Sequence, residues 1–200
     1  MKIILVVLVL IVGGLAAVGF LADPKQDART TITIDAPVEK VFALVADPTR
    51  TKEWLPKDIG EIESTEVKAK GVAEKAAGAL LDAAMGGGTN NGKNAPTHIH
   101  HFKGGKKLAL QVTELKPNQA YMERVVETDM GMEKIFSEIE WGFEMQKSAA
   151  DPKKTDLTVV MKSEATKPLG NAMCHVMRLF HPPRKDAEVL AGCVEAAARK

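Results

Sequence analysis

Ile32-Thr33-Ile34-Asp35-Ala36-Pro37-Val38-Glu39-Lys40-Val41-Phe42-Ala43-Leu44-Val45-Ala46-Asp47 contains a change of period on which the fold turns. From Thr30 to Ile34 the residues are β-branched, and Ile32 and Ile34 alternate with polar neighbours, the two-residue repeat of a half-buried strand. Asp35-Ala36-Pro37 ends that strand. Pro37 suits a first helical turn, Glu39 complements the helix dipole, and Val38, Val41, Phe42 and Val45 then fall on one helical face. Asp47-Pro48 stops the helix, and a second short helix is expected to close at Trp54-Leu55-Pro56.

Downstream, strands are expected at 59–68, 97–103, 107–115, 120–128, 133–146 and 155–165, separated by Gly-Gly, Lys-Pro-Asn, Met-Gly and Asp-Pro-Lys-Lys turns. Successive strands with short connections make an antiparallel meander. Ile139, Trp141, Phe143 and Met145 share one face of their strand, as do Leu157, Val159 and Met161, so one face of the sheet is apolar. The period becomes helical at Leu169, Met173, Val176, Met177 and Phe180, and again at Leu190, Cys193, Val194 and Ala197 after His181-Pro182-Pro183. These stripes are the natural cover for the apolar sheet face, which predicts a two-layer α+β domain. Cys174 and Cys193 fall on them and read as core thiols rather than a bridge. Between the second and third strands, Val72 to Met85 is Ala-rich, fits a short helix stopped by Gly86-Gly87-Gly88, and reads as a solvated loop or a lid.

The run from Ile32 to Asp47, with Trp54-Leu55-Pro56 after it, resembles the opening of the START-like (SRPBCC) superfamily of polyketide cyclases, dehydrases and lipid carriers. The order of elements agrees over residues 30–200. The resemblance implies a helix grip, a curved antiparallel sheet wrapped around a long C-terminal helix, with a cavity between them for an apolar ligand. It carries no catalytic residue to transfer. The 72–95 insertion and the Pro182-Pro183 pair depart from the family pattern, at the cavity mouth and in the straightness of the helix.

Residues 3–22 hold no charged or hydrogen-bonding side chain, and as a helix they would extend ~30 Å, the thickness of a bilayer core. The expectation is a transmembrane anchor over 1–22, a tether over 23–29 and a domain over 30–200. The rival is a cleaved signal peptide, for which Ala17-Val18-Gly19 is a candidate cut inside the apolar run. Flanking charge does not decide orientation. A short N-terminus before a single domain leads to the expectation of a single-pass protein of a bacterial cytoplasmic membrane, with the domain outside the cytoplasm. Without Lys2 the chain carries 26 basic and 26 acidic residues, and its aromatics are not interleaved with a basic stripe, which argues against nucleic acid as a partner.

Thr97-His98-Ile99-His100-His101 puts His98 and His100 on one face of a strand. Two imidazoles fall short of a metal site; Glu114 or Glu123 would have to supply a third ligand, and no metal or other cofactor is expected. Glu123 and Glu127 are unranked acid/base candidates, while Glu138 and Glu140 read as solvent-facing, and no nucleophile elbow, phosphate loop or dinucleotide fingerprint appears. No catalytic residue is assigned. Methionine is frequent in the segments around the expected cavity, and its adaptable thioether suits either core filling or variable apolar guests. The sequence therefore predicts a membrane-tethered binding or carrier module for a hydrophobic small molecule or lipid, held by Phe42, Trp141, Phe143, Met161, Met173 and Met177. The alternative is a cyclase- or dehydratase-like enzyme, which would need a buried acid or base; no protein partner is identified.

Overall fold

The computed structural model describes residues 19–68, 96–166, 168–180 and 182–200, together with Val7, Gly13, Gly14, Ala16 and Ala17. Strand β1 (Lys25–Ile34) leads through helix α1 (Val38–Val45), a 3-10 turn (Pro48–Arg50) and the single-turn α2 (Thr51–Trp54) to β2 (Ile62–Lys68). The meander β3 (Thr97–Phe102), β4 (Lys107–Lys116), β5 (Ala120–Thr128), β6 (Phe136–Lys147) and β7 (Thr155–Ala165) follows, then α3 (Leu169–Phe180) and α4 (Pro183–Ala198). The seven strands form one sheet in the order β1-β7-β6-β5-β4-β3-β2, antiparallel throughout. The two helices after β1 thus carry the chain from one edge of the sheet to the other. The result is the α+β helix-grip arrangement that the opening motif implies.

Each turn is made by the chemistry that marks it. Gly104 and Gly105, between β3 and β4, both have positive φ, and Asn118 takes φ 59 between β4 and β5. Strand β1 starts at Lys25 rather than Thr30, because residues 25–29 pair with Glu164 to Val160 of β7. Their alternation is not apolar, and Arg29 is held on the outer face by Glu144 at 3.1 Å.

The main core joins the inner sheet face to α1, α2 and α4. Ile34, Val41, Leu44, Phe143, Leu157 and Val159 are fully buried against Ala187, Leu190, Ala191 and Val194 of α4. Each such Leu, Ile or Phe stabilises the fold by roughly 1.5–3 kcal/mol. Trp54 stands edge-on to Phe143 at 5.4 Å and 5.8 Å from Trp141, and its indole donates to Leu44 O at 3.3 Å. A second cluster of Ile62, Phe102, Leu108 and Leu110 sits beneath β2 to β4, with Leu55, Val125, Met130, Met132 and Trp141 partly buried around it.

Pro182 and Pro183 divide the C-terminal segment into two helices, Pro183 occupying the first turn of α4. Among the described residues, only α4 presents its apolar stripe to the sheet. On α3 the buried residues are Gly170, Asn171, Ala172 and Cys174, whereas Leu169, Met173, Val176 and Met177 are exposed. A Cβ at Gly170 would lie 2.3 Å from Ile135 O, so the small side of α3 fits against the chain leading into β6. Cys174 is a buried free thiol and Cys193 a partly buried one.

The expected membrane anchor needs correction. Among the described residues no helix is long and apolar enough to cross a membrane, so a single-pass membrane protein is not supported. Apolar length is necessary for a span but does not make one, and the end of this segment is held by the domain. Asn171 Nδ2 donates to Gly19 O at 3.2 Å and to Ala22 O at 2.9 Å. Most of residues 3–18, and the whole 72–95 insertion read as a solvated loop or a lid, lie outside the described residues.

Candidate functional site

Alternation along β3 and β5 turns four polar side chains onto the inner, apolar face of the sheet. His98 and His100 alternate with half-buried Thr97, Ile99 and His101, and Tyr121 lies two residues before Glu123; all four inward side chains are buried. Val112 of β4 and Trp141 of β6 flank Glu123 across the sheet. The pairing of β4 with β5 is irregular between Val112 and Glu114, and such a bulge bends the strand and re-aims nearby side chains.

The Tyr121 hydroxyl donates to Glu123 Oε1. His98 Nε2 lies 3.2 Å from the same oxygen without hydrogen-bond geometry, and the two imidazoles meet edge to face at 4.8 Å. Thr65 Oγ1, directly across the β2–β3 pair, is 2.9 Å from His100 Nδ1. When that hydroxyl donates, His100 carries its proton on Nε2. Neither His98 Nε2 nor His100 Nε2 has a hydrogen-bond partner among the described residues, although both atoms are buried.

Burial dominates the electrostatics. It pushes the Glu123 carboxyl up to about 8, against the opposing pull of the Tyr121 hydrogen bond. It brings His98 down to about 3, helped by His100, and His100 down to about 4, helped by His101. Burial, with Glu123 beside it, also raises Tyr121. At neutral pH the imidazoles are uncharged and the carboxyl is poised to gain or lose a proton. Leaving a buried polar atom unpaired costs about 1–3 kcal/mol, so the two free Nε2 atoms are suited to a guest that brings hydrogen-bonding oxygen.

The other sequence candidates lie elsewhere. Glu127 is exposed and paired with Lys107, Glu114 is paired with Lys116 at 2.6 Å, and His101 is partly exposed 3.9 Å from Glu66. Glu138 and Glu140 are on the outer face, bound to Arg124 and, for Glu140, to Lys162 and Thr113. Among the described residues no group of three His, Cys, Asp or Glu is placed to hold a metal. Of the expected ligand-binding residues, Phe42 and Phe143 are in the main core with Trp141 and Met161 packed against it. Met173 and Met177 are 41% and 53% exposed on α3, apart from that group. Sequence reasoning assigns no role to Tyr121 or Thr65. The Tyr-x-Glu spacing within a strand is a readable signal for Tyr121, whereas Thr65 depends on a cross-strand register that the sequence does not encode locally.

A family model described as polyketide cyclase / dehydrase and lipid transport matches residues 25–178. No curated protein matches the chain. Among solved structures, the fold is similar to that of the ZhuI aromatase/cyclase from Streptomyces sp. R1128, at 13% identity and a TM-score of 0.53, covering 88% of this chain and 94% of that one. The protein TTHA0849 from Thermus thermophilus gives 17% identity and a TM-score of 0.54, with 86% and 97% covered. Truncated norcoclaurine synthase from Thalictrum flavum gives 9% identity and a TM-score of 0.51, with 86% and 91% covered. At these identities the likeness is one of fold.

Proposed function

We propose, for a chain that belongs to the polyketide cyclase / dehydrase and lipid transport family, that it is an acid–base enzyme acting on a hydrophobic ketone in a cyclase- or dehydratase-like reaction. The observation that carries this reading is the buried Glu123 carboxyl, with its proton affinity near neutrality, beside two imidazoles with unpartnered Nε2 atoms. A general acid or base works best when its pKa is near the operating pH. The sequence alone ranks a carrier first; a carrier of apolar molecules has no use for such a group, and its presence reverses the order.

In the reaction we infer, His100 Nε2–H donates to the substrate carbonyl oxygen and stabilises the enolate, as a neutral imidazole does without giving up its proton. Ionised Glu123 removes the α-proton. The same proton then passes from Glu123 to the departing β-hydroxyl, which leaves as water, and the carboxylate is regenerated. Tyr121 orients the carboxyl, and Trp141 and Met161 pack against the apolar body. The guest enters by parting the second cluster, whose Leu55, Met130 and Met132 are only partly buried.

The test uses the β-hydroxy ketone formed from benzaldehyde and acetone, whose dehydration to benzalacetone is followed by absorbance. The protein should accelerate dehydration, with a rate that rises with pH as Glu123 ionises near 8. Glu123→Gln should lower kcat about a hundredfold with little change in KM. Equal rates for parent and variant, at matched folded fraction, would remove Glu123 from the chemistry and return the carrier reading to first place.

A further inference from the structure

The lip of the sheet beside this site has its own chemistry. A cleft of about 400 Å³ opens between α2 and the start of β2, lined by Lys52, Leu55, Lys57, Gly60, Glu61 and Ile62. Its apolar floor adjoins the second cluster, which a guest would part to reach the interior. Leu55 and Ile62 belong to the second cluster, which extends to Trp141, the residue opposite Glu123. Its rim is charged. Glu61 is held by Lys103 at 2.6 Å, and nearby Glu53 by Arg50 at 2.9 Å. Lys52 and Lys57 are exposed and, among the described residues, form no ion pair.

An apolar floor beside two ammonium groups that form no ion pair among the described residues fits a molecule that is apolar along its length and anionic at one end. We propose that the substrate carries a terminal carboxylate, which Lys52 and Lys57 hold at the mouth while the ketone reaches His100 and Glu123. This rests on the acid–base reading of the interior and names its substrate class. The lysines act by charge alone and take no part in the proton transfers. They select an acid over its neutral ester and set which end of the molecule enters first.

Fluorescence titration of the full chain with cis-parinaric acid and with its methyl ester tests the assignment. At low ionic strength the acid should bind about three to ten times more tightly, the range two exposed ion pairs provide. That advantage should fade at high salt. It should also vanish in the Lys52→Gln/Lys57→Gln variant while the ester's affinity stays unchanged. The Lys40→Gln/Lys185→Gln variant, which removes the same charge elsewhere, should keep it. Equal affinity for acid and ester in the parent overturns the carboxylate assignment and leaves the interior reading standing. Loss of the preference in both double variants overturns it as well, since net charge and not the cleft would be responsible. If neither probe binds, the interior reading fails, and the substrate assignment with it.

Discussion

Glu123 and the two imidazoles impose opposite demands on stability as pH changes. The Glu123 carboxyl titrates at about 8 in the folded chain against 4.5 as a free group. Between those values the folded chain retains a proton that the unfolded chain has lost, so stability falls as pH rises from about 4.5 to about 8. His98 and His100 titrate at about 3 and about 4 against 6.5. Below 6.5 the unfolded chain takes up protons that the folded chain refuses, so stability falls as pH drops toward those values. From 4.5 to 6.5 two imidazoles outweigh one carboxyl, and the three groups together place the optimum near 6.5. Glu123→Gln should abolish the decline between 6.5 and 8 and steepen the acid limb between 4.5 and 6.5, where the carboxyl no longer offsets an imidazole, read as Tm against pH. An alkaline decline that survives the substitution would mean that another group causes it. The residue scale is partly legible in the sequence. Alternation puts His98 and His100 on one face and names Glu123 among several carboxylates, but burial ranks those carboxylates, and burial depends on neighbours distant in sequence.

At the scale of elements, the site depends on how closely β5 and β6 approach. A Cβ at Gly142 would sit 2.1 Å from Tyr121 O and 2.7 Å from Met122 Cα, so only glycine allows the contact. The register there pairs Tyr121 with Phe143 and Glu123 with Trp141. Gly142→Ala should therefore force the strands apart, at a cost of about 1–3 kcal/mol by urea unfolding, and weaken dehydration activity beyond the loss of folded protein. Unchanged stability would show that the strands have room to adjust. Strand existence is well signalled: Gly104-Gly105, Asn118 and the period-two runs locate β3 to β5 almost to the residue. The exception is β1, whose first residues, Lys25 to Arg29, lack an apolar rhythm and are ordered by pairing with β7. Periodicity detects burial; it does not detect hydrogen bonding along a polar stretch.

The whole molecule rests unequally on its two C-terminal helices. Their sequences show similar apolar stripes, and nothing in either stripe tells which one meets the sheet. The distinction comes from geometry: the Pro182-Pro183 break redirects the chain, α4 lies across β1 and β7, and α3 turns its small residues, Gly170, Asn171 and Cys174, inward. The end of the apolar segment before β1 is likewise placed by contacts distant in sequence. The segment's length satisfies a bilayer, yet length alone does not report that Asn171 holds Gly19 and Ala22 to the domain. The consequence for stability is direct. Leu190 is 5% exposed within the main core, and Leu190→Ala should cost about 2–5 kcal/mol as a cavity between α4 and the sheet. Met177 is 53% exposed at the corresponding stripe of α3, and Met177→Ala should change stability by less than about 0.5 kcal/mol. Urea midpoints at constant m-value separate the two. A large loss from Met177→Ala would mean that the apolar face of α3 is covered in solution, and a small loss from Leu190→Ala would mean that the grip of the sheet on α4 is not what holds the domain together.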